Sequence, residues 1–187
     1  MRIIAGQNRG LRLASLGKGD AAAHLRPTSD RVRESLFNIL TGGIHGDPIT
    51  GARVLDLFAG TGALGLEALS RGAAHCTFVD DGRKAQNLIR ENIRLAGHVG
   101  DSTILKTNAT RLTANKSAPF TLVFLDPPYG LGLGEKALAA AREGAWIGDG
   151  ALVVWEENAR QPAPEGFTLR DQRHYGDTWI TILENKP

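Results

Sequence analysis

The sequence predicts an α/β fold: a doubly wound, mostly parallel sheet that ends in an antiparallel hairpin. Three observations predict it. From Arg53 onward, short apolar runs alternate with stretches of helical periodicity. The first of these runs meets a glycine cluster. The last two are joined near Gly176-Asp177, a two-residue hairpin signal. A chain of 187 residues suits one domain, or one domain with a short appendage. Five β/α steps are too few for an eight-fold barrel.

Each element has its own justification. Residues 3–5 and 11–13 are short apolar-alternating runs around Gly6-Gln-Asn-Arg-Gly10 and are expected to pair as a small hairpin. Residues 14–25 read as a loop rich in Gly and Ala. Pro27-Thr-Ser-Asp30 is a helix start with Ser29 or Asp30 as N-cap. Val32, Leu36, Ile39 and Leu40 follow at helical spacing, and Gly42-Gly43 ends that helix. Residues 54–58 form the first strand and 64–70 a helix that stops at Gly72. Residues 76–79 are the second strand. Residues 83–96 are a helix whose apolar set is Ala85, Leu88, Ile89, Ile93, Leu95 and Ala96. Residues 102–106 are the third strand. Residues 120–125, Phe-Thr-Leu-Val-Phe-Leu, are the fourth, more apolar and so expected at the centre. A helix at 135–143, a fifth strand at 151–155, and strands at 167–175 and 178–184 complete the order.

Composition excludes several classes. Hydrophobic residues at 42% and charged residues at 22% match a globular protein, not a disordered, collagen-like or coiled-coil one. No run of ~18 apolar residues occurs, and the first ten residues lack the apolar core of a secretory signal. A cytoplasmic location is expected. The single cysteine, Cys76, can form no internal disulfide and no Cys-rich metal site. The five histidines show no metal-ligand spacing and are expected on the surface or in loops. Residues 1–40 hold seven Lys/Arg against three acidic residues, a net +4, so the rest of the chain sums to −2. A basic segment on a near-neutral body points to a polyanionic partner. The plain alternative is a solvated surface.

The glycine cluster is Asp56-Leu-Phe-Ala-Gly60-Thr-Gly62-Ala-Leu-Gly65, a G-x-G-x-x-G pattern between a strand and a helix. Such glycines let the backbone turn tightly and approach a ligand, and the following helix start offers free N–H groups. No Gly-Lys-Ser/Thr follows, so it is not a Walker loop. A dinucleotide and S-adenosylmethionine both remain possible on the loop alone. Asp56 favours the second, because a carboxylate there repels a pyrophosphate but accepts from a methionine ammonium. The second strand ends at Asp80, positioned to take the ribose hydroxyls of an adenosine. Asn108 and Ala109, after the third strand, are placed to meet the adenine. Without a ligand, the glycines would be a tight turn and the carboxylates caps.

The fourth strand runs into Asp126-Pro127-Pro128-Tyr129. Two prolines cannot continue a ladder and fix a stiff loop at the sheet's carboxyl edge. There the Asp126 carboxylate and the Pro127 carbonyl can hold the two hydrogens of a planar amine, and the Tyr129 ring can stack on its base. Cys76 begins strand two, away from this loop, and reads as a small buried hydrophobe rather than a nucleophile.

With these motifs the sequence resembles a known family. The stretch from Leu55 to Arg71 and Phe124-Leu-Asp-Pro-Pro-Tyr129 are similar to amino-group methyltransferases of the Rossmann-like class I. Arg2-Ile-Ile-Ala-Gly6, Arg9-Gly10 and Arg26-Pro-Thr-Ser-Asp-Arg-Val-Arg-Glu-Ser-Leu-Phe-Asn38 resemble the bacterial RsmD-type 16S rRNA guanine-N(2) methyltransferases. The resemblance implies a seven-stranded, mostly parallel sheet with a C-terminal antiparallel hairpin. It also implies a basic hairpin-and-helix extension over residues 1–45 and an S-adenosylmethionine-dependent methyltransferase domain over 46–187. It implies methylation of the 2-amino group of a guanine in small-subunit ribosomal RNA. Asp56, Phe58, Ala59, Gly60, Gly62, Asp80, Asn108 and Ala109 would bind the cofactor. Asp126, Pro127, Pro128 and Tyr129 would hold the target base. Arg2, Arg9, Arg12, Arg26, Arg31 and Arg33 would grip RNA or close over the cofactor. A monomer acting on ribosomal RNA, within an assembling particle, is expected, with no metal and no membrane. Two other readings share these residues: a DNA adenine-amine or protein glutamine methyltransferase, and a non-catalytic RNA-binding or ribosome-assembly module.

Overall fold

A computed structural model describes residues 1–15, 30–43 and 45–187. The expected loop at 14–25 and the N-cap at Ser29 fall almost wholly outside them. Helix α1, Asp30–Thr41, is followed by strand β1, Arg53–Leu57, and helix α2, Ala63–Ser70. Strand β2, His75–Val79, helix α3, Arg83–Ala96, and strand β3, Ser102–Leu105, come next. A short 3-10 turn at Ala109–Arg111 precedes strand β4, Phe120–Leu125, and helix α4, Leu133–Glu143. The chain ends with strands β5, Ile147–Glu157, β6, Phe167–Tyr175, and β7, Thr178–Asn185.

The strands form one seven-stranded sheet in the order β3-β2-β1-β4-β5-β7-β6, with β7 alone running against the other six. Strand β4 therefore lies in the middle, as its continuous apolar run requires. The order reverses between β1 and β4, and that is where an open α/β sheet forms its ligand crevice.

Alternation along each strand divides the core into two layers. Val54, Cys76, Phe78, Leu122, Phe124, Val154 and Ile182 face α1, α2 and α3. Leu55, Leu57, Val123, Leu125, Val153 and Trp155 face α4. All eight residues of α2 are buried, so its Glu67 needs partners. It has them: Oε2 accepts from the Ile4 N–H at 2.7 Å and Oε1 from the Ala5 N–H at 3.0 Å, and Arg71 Nε lies 2.7 Å from Oε1.

These contacts correct the expected hairpin. Residues 1–3 pair with 10–13 through an Arg2–Arg12 bridge and Ile3–Leu11 and Ile3–Gly10 hydrogen bonds. Ile4 and Ala5 turn their N–H groups to Glu67 instead of to a facing strand. His98 lies in the loop after α3, as expected, but is buried there, with Nδ1 at 2.8 Å from Asp101 Oδ2 and Nε2 at 2.9 Å from Asn8 Oδ1, so it ties the hairpin turn to the end of α3. One further expectation is corrected. Leu95 is half exposed, because it lies on the flank of α3 that turns away from the sheet.

Candidate functional site

The site is built on the carboxyl tips of β1, β2 and β4. The register sets Leu57 beside Val79 on one side and Leu125 on the other. The glycine loop and the Asp-Pro-Pro-Tyr loop thus leave adjacent strands at the same edge, and the Asp126 N–H still reaches the Leu57 carbonyl at 3.4 Å.

The glycine loop needs left-handed backbone at Gly60 (φ 58°) and Gly62 (φ 78°), where glycine costs least. Phe58 also adopts φ 59°, which costs a residue with a side chain about 1 kcal/mol or more. Surrounding bonds hold it: Ala59 N–H to the Val79 carbonyl, Gly60 N–H to Asp80 Oδ2 at 2.9 Å, and Gly62 N–H to the Ala59 carbonyl. Strain held this way at a strand tip is a mark of a pre-organised site.

Three carboxyls belong to these strand ends: Asp56 within β1, Asp80 just after β2 and Asp126 just after β4. Asp56 is buried and its Oδ2 accepts the Gly65 N–H at 3.0 Å. Burial pushes its carboxyl up to about 8, with the Gly65 N–H opposing and Asp80 adding to the rise. Asp80 is partly buried. Its Oδ1 accepts from Gly82 at 2.8 Å while Oδ2 holds Gly60, so each oxygen keeps a further lone pair. Burial raises this carboxyl too, against those two N–H bonds. Asp126 is the third, partly exposed where β4 ends. Such a group of acids suits a ligand that brings positive charge.

The remaining expected residues are placed as follows. Asn108 caps the 3-10 turn, accepting from Thr110 N–H, and donates to Asp81 Oδ2 at 3.0 Å; Ala109 is buried behind it. Pro127 is buried and Pro128 partly so. The Tyr129 hydroxyl donates to Glu156 Oε1 at 2.9 Å, and the Gly130 N–H to Glu157 Oε1 at 3.2 Å. Burial, then the Glu156 carboxylate, push the Tyr129 hydroxyl well above its ordinary value, so it stays a phenol.

Glu156 and Glu157 are what sequence reasoning missed. They end a parallel strand paired with β4, with Leu125 beside Trp155. The rule that points to the tips of strands one to four applies to this fifth tip as well.

Of the expected RNA-facing arginines, Arg2, Arg9, Arg12 and Arg31 are exposed, and Arg26 lies outside the described residues. Arg33 is a correction: it is fully buried, and its Nη2 bonds the Arg2 carbonyl and Asp30 Oδ1, with Nε 3.9 Å from Glu67. It joins α1, the hairpin and α2 and offers no surface charge. Among the described residues no group of three or more His, Cys, Asp or Glu is placed to hold a metal, and no helix is long and apolar enough to cross a membrane.

Comparison with known proteins agrees with this geometry. A family model described as Conserved hypothetical protein 95 matches residues 1–184. Ribosomal RNA small subunit methyltransferase D of Escherichia coli K12 is 39% identical over 190 residues, covering 100% of this chain and 90% of that protein. The putative rRNA methyltransferase YlbH of Bacillus subtilis is 33% identical over 192 residues, covering both chains fully, 100% each. The solved structure of the putative methyltransferase yhhF from Escherichia coli superposes with a TM-score of 0.82 at 33% identity, covering 100% of this chain and 98% of that one. The sheet order is that of the Rossmann-like class I methyltransferases. The chain belongs to the Conserved hypothetical protein 95 family, that of the RsmD-type ribosomal RNA small subunit methyltransferases.

Proposed function

We propose that this protein transfers a methyl group from S-adenosylmethionine to the exocyclic 2-amino group of a guanine in small-subunit ribosomal RNA. The observation that supports the reading is the adjacency of the β1 and β4 tips, from which the strained glycine loop and the Asp-Pro-Pro-Tyr loop leave side by side. The names of the relatives support ribosomal RNA as the substrate.

The residues present suit the cofactor. The loop 58–62 would cradle its methionine part, Asp56 its ammonium, Asp80 its ribose, and Asn108 with Ala109 its adenine. When bound, it supplies an electrophilic methyl on a cationic sulfur. The target amine is a poor nucleophile, because its lone pair is delocalised into the ring. Asp126 and the Pro127 carbonyl would accept its two hydrogens and aim that lone pair, while the Tyr129 ring stacks on the base. As the N–C bond forms and the carbon–sulfur bond breaks, the nitrogen would gain positive charge, which Asp126 would stabilise, and the N–H proton made acidic by that charge would pass by way of Asp126 to water. Residues 1–45 would be the RNA-facing extension and 46–187 the methyltransferase domain of a cytoplasmic monomer.

The raised Asp56 carboxyl gives a pH dependence. Holding an ammonium requires the ionised form, so the dissociation constant for S-adenosylmethionine should fall as pH rises from 6 toward 8, by up to about ten-fold per unit. Calorimetry across that range should show net proton release, and Asp56→Asn should flatten the profile. In the unliganded protein the sign is opposite. The folded state holds a proton that the unfolded chain sheds near 3.8, so stability declines as pH rises from there toward 8.

The function itself is tested with the purified chain, labelled S-adenosylmethionine, small-subunit particles, their deproteinised RNA and, in parallel, genomic DNA. Nucleoside mass spectrometry should find new 2-methylguanosine. Label in DNA or protein instead, or in none of the three, would overturn the assignment.

A further inference from the structure

We infer that the outer face of α3 is a second RNA-binding surface, a phosphate track that runs from the N-terminal hairpin to the cofactor loop. The inference rests on the reading of RNA as the substrate. It draws on residues separate from the arginines of the first 40 positions.

At about 100° per residue, Arg83, Asn87, Arg90 and Arg94 fall within roughly 60° of one another on α3. They stand opposite the buried Ala85, Ile89, Asn92, Ile93 and Ala96. All four are exposed, and they span about 16 Å of helix. None of the ion pairs among the described residues involves Arg83, Arg90 or Arg94. The one acid of α3, Glu91, sits on the flank of the stripe.

Local physics argues against a merely solvated face. Arg90 and Arg94 are like charges at i,i+4, which weakens a helix. Arg83 and Lys84 occupy a first turn that holds no acid, against the helix dipole. A surface selected for solubility alone would alternate signs along such a helix. Departures from local preference of this kind gather at functional surfaces.

Both ends of the stripe meet features already described. Arg83 follows Gly82, whose N–H is held by the same Asp80 carboxylate that holds Gly60 of the cofactor loop. At the other end, Asn8 donates to the Ala96 carbonyl at 3.0 Å, which ties the hairpin turn carrying the exposed Arg9 to the carboxyl end of α3. A row of cations outside those ion pairs, joining two parts of a nucleic-acid site, fits a polyanionic strand, whose phosphates would displace condensed counterions.

The test uses the full chain and a small-subunit ribosomal RNA fragment, with binding measured across a salt series. The double variant Arg90→Gln/Arg94→Gln should bind several-fold more weakly. The slope of log affinity against log salt should fall by about 1.5, as expected for two lost phosphate contacts. Its melting temperature and its affinity for S-adenosylmethionine should match the parent. A charge-matched control, Lys116→Gln/Lys186→Gln, removes two cations elsewhere and should keep the parental slope. An unchanged slope in the Arg90/Arg94 variant, or an equal drop in the control, overturns the track and leaves the RNA reading standing. A parent protein that binds no RNA overturns the reading of the substrate and the track with it.

Discussion

Replacing Asp126 with alanine is expected to slow methyl transfer at least ~100-fold while cofactor affinity stays within about two-fold of the parent. The separation follows from placement. Asp126 contacts the β1 tip through its backbone N–H to Leu57, a bond alanine retains, and the glycine loop is anchored by Asp80 and Val79. The carboxylate itself is the group proposed to orient the amine and to stabilise its developing charge. The Asp126→Asn variant keeps an acceptor without the charge, so its rate should fall between those of the parent and the alanine variant. Single-turnover rates with saturating RNA, beside calorimetry for the cofactor, give both readings. A parallel loss of cofactor affinity would move Asp126 into the cofactor site, and an unchanged rate would remove it from the chemistry.

Replacing Gly65 with alanine should disable the other half of the site. A Cβ there would lie 2.5 Å from Cys76 Sγ, 2.5 Å from the Phe78 ring and 3.0 Å from Asp56 Oδ2. Cys76 and Phe78 are fully buried and cannot swing away. Overpacking of this kind costs about 2–3 kcal/mol, which lowers the melting temperature of a chain this size by roughly 5–10 °C. The start of α2 must shift, and Asp56 loses its 3.0 Å clasp on the Gly65 N–H, so S-adenosylmethionine binding should weaken well beyond what the stability loss predicts. Adding Cys76→Ala removes one of the clashing atoms and should restore part of the stability. If Gly65→Ala melts and binds like the parent, the Asp56 clasp is not a rigid element of the site.

These two variants also mark what the sequence made legible. The order of strands and helices followed from periodicity, because strands buried on both faces are continuous apolar runs. Helix α3 was readable to its last residue: its buried face repeats at helical spacing, and Gly97 stops it in a left-handed turn. The glycine and Asp-Pro-Pro-Tyr loops were readable because their residue types are dictated by backbone geometry. Less legible were polar side chains whose roles depend on distant partners. Glu67 bonds Ile4, 63 residues away, and Tyr129 bonds Glu156, 27 residues away. Arg33 stood among surface arginines by composition. Its spacing from Leu36, Phe37 and Leu40 nevertheless placed it on the buried face of α1.

Asn92 lies buried on α3, and its amide is fully engaged. Its oxygen accepts the Ala14 N–H at 2.7 Å, and its nitrogen donates to the Ala14 carbonyl at 3.0 Å and to the Thr61 carbonyl at 2.9 Å. Thr61 sits between the two glycines of the glycine loop, and Ala14 follows the second arm of the hairpin. The end of the hairpin's second arm and the glycine loop therefore share one fulcrum. Neither can be displaced without dragging the other along or stripping a partner from a sequestered amide.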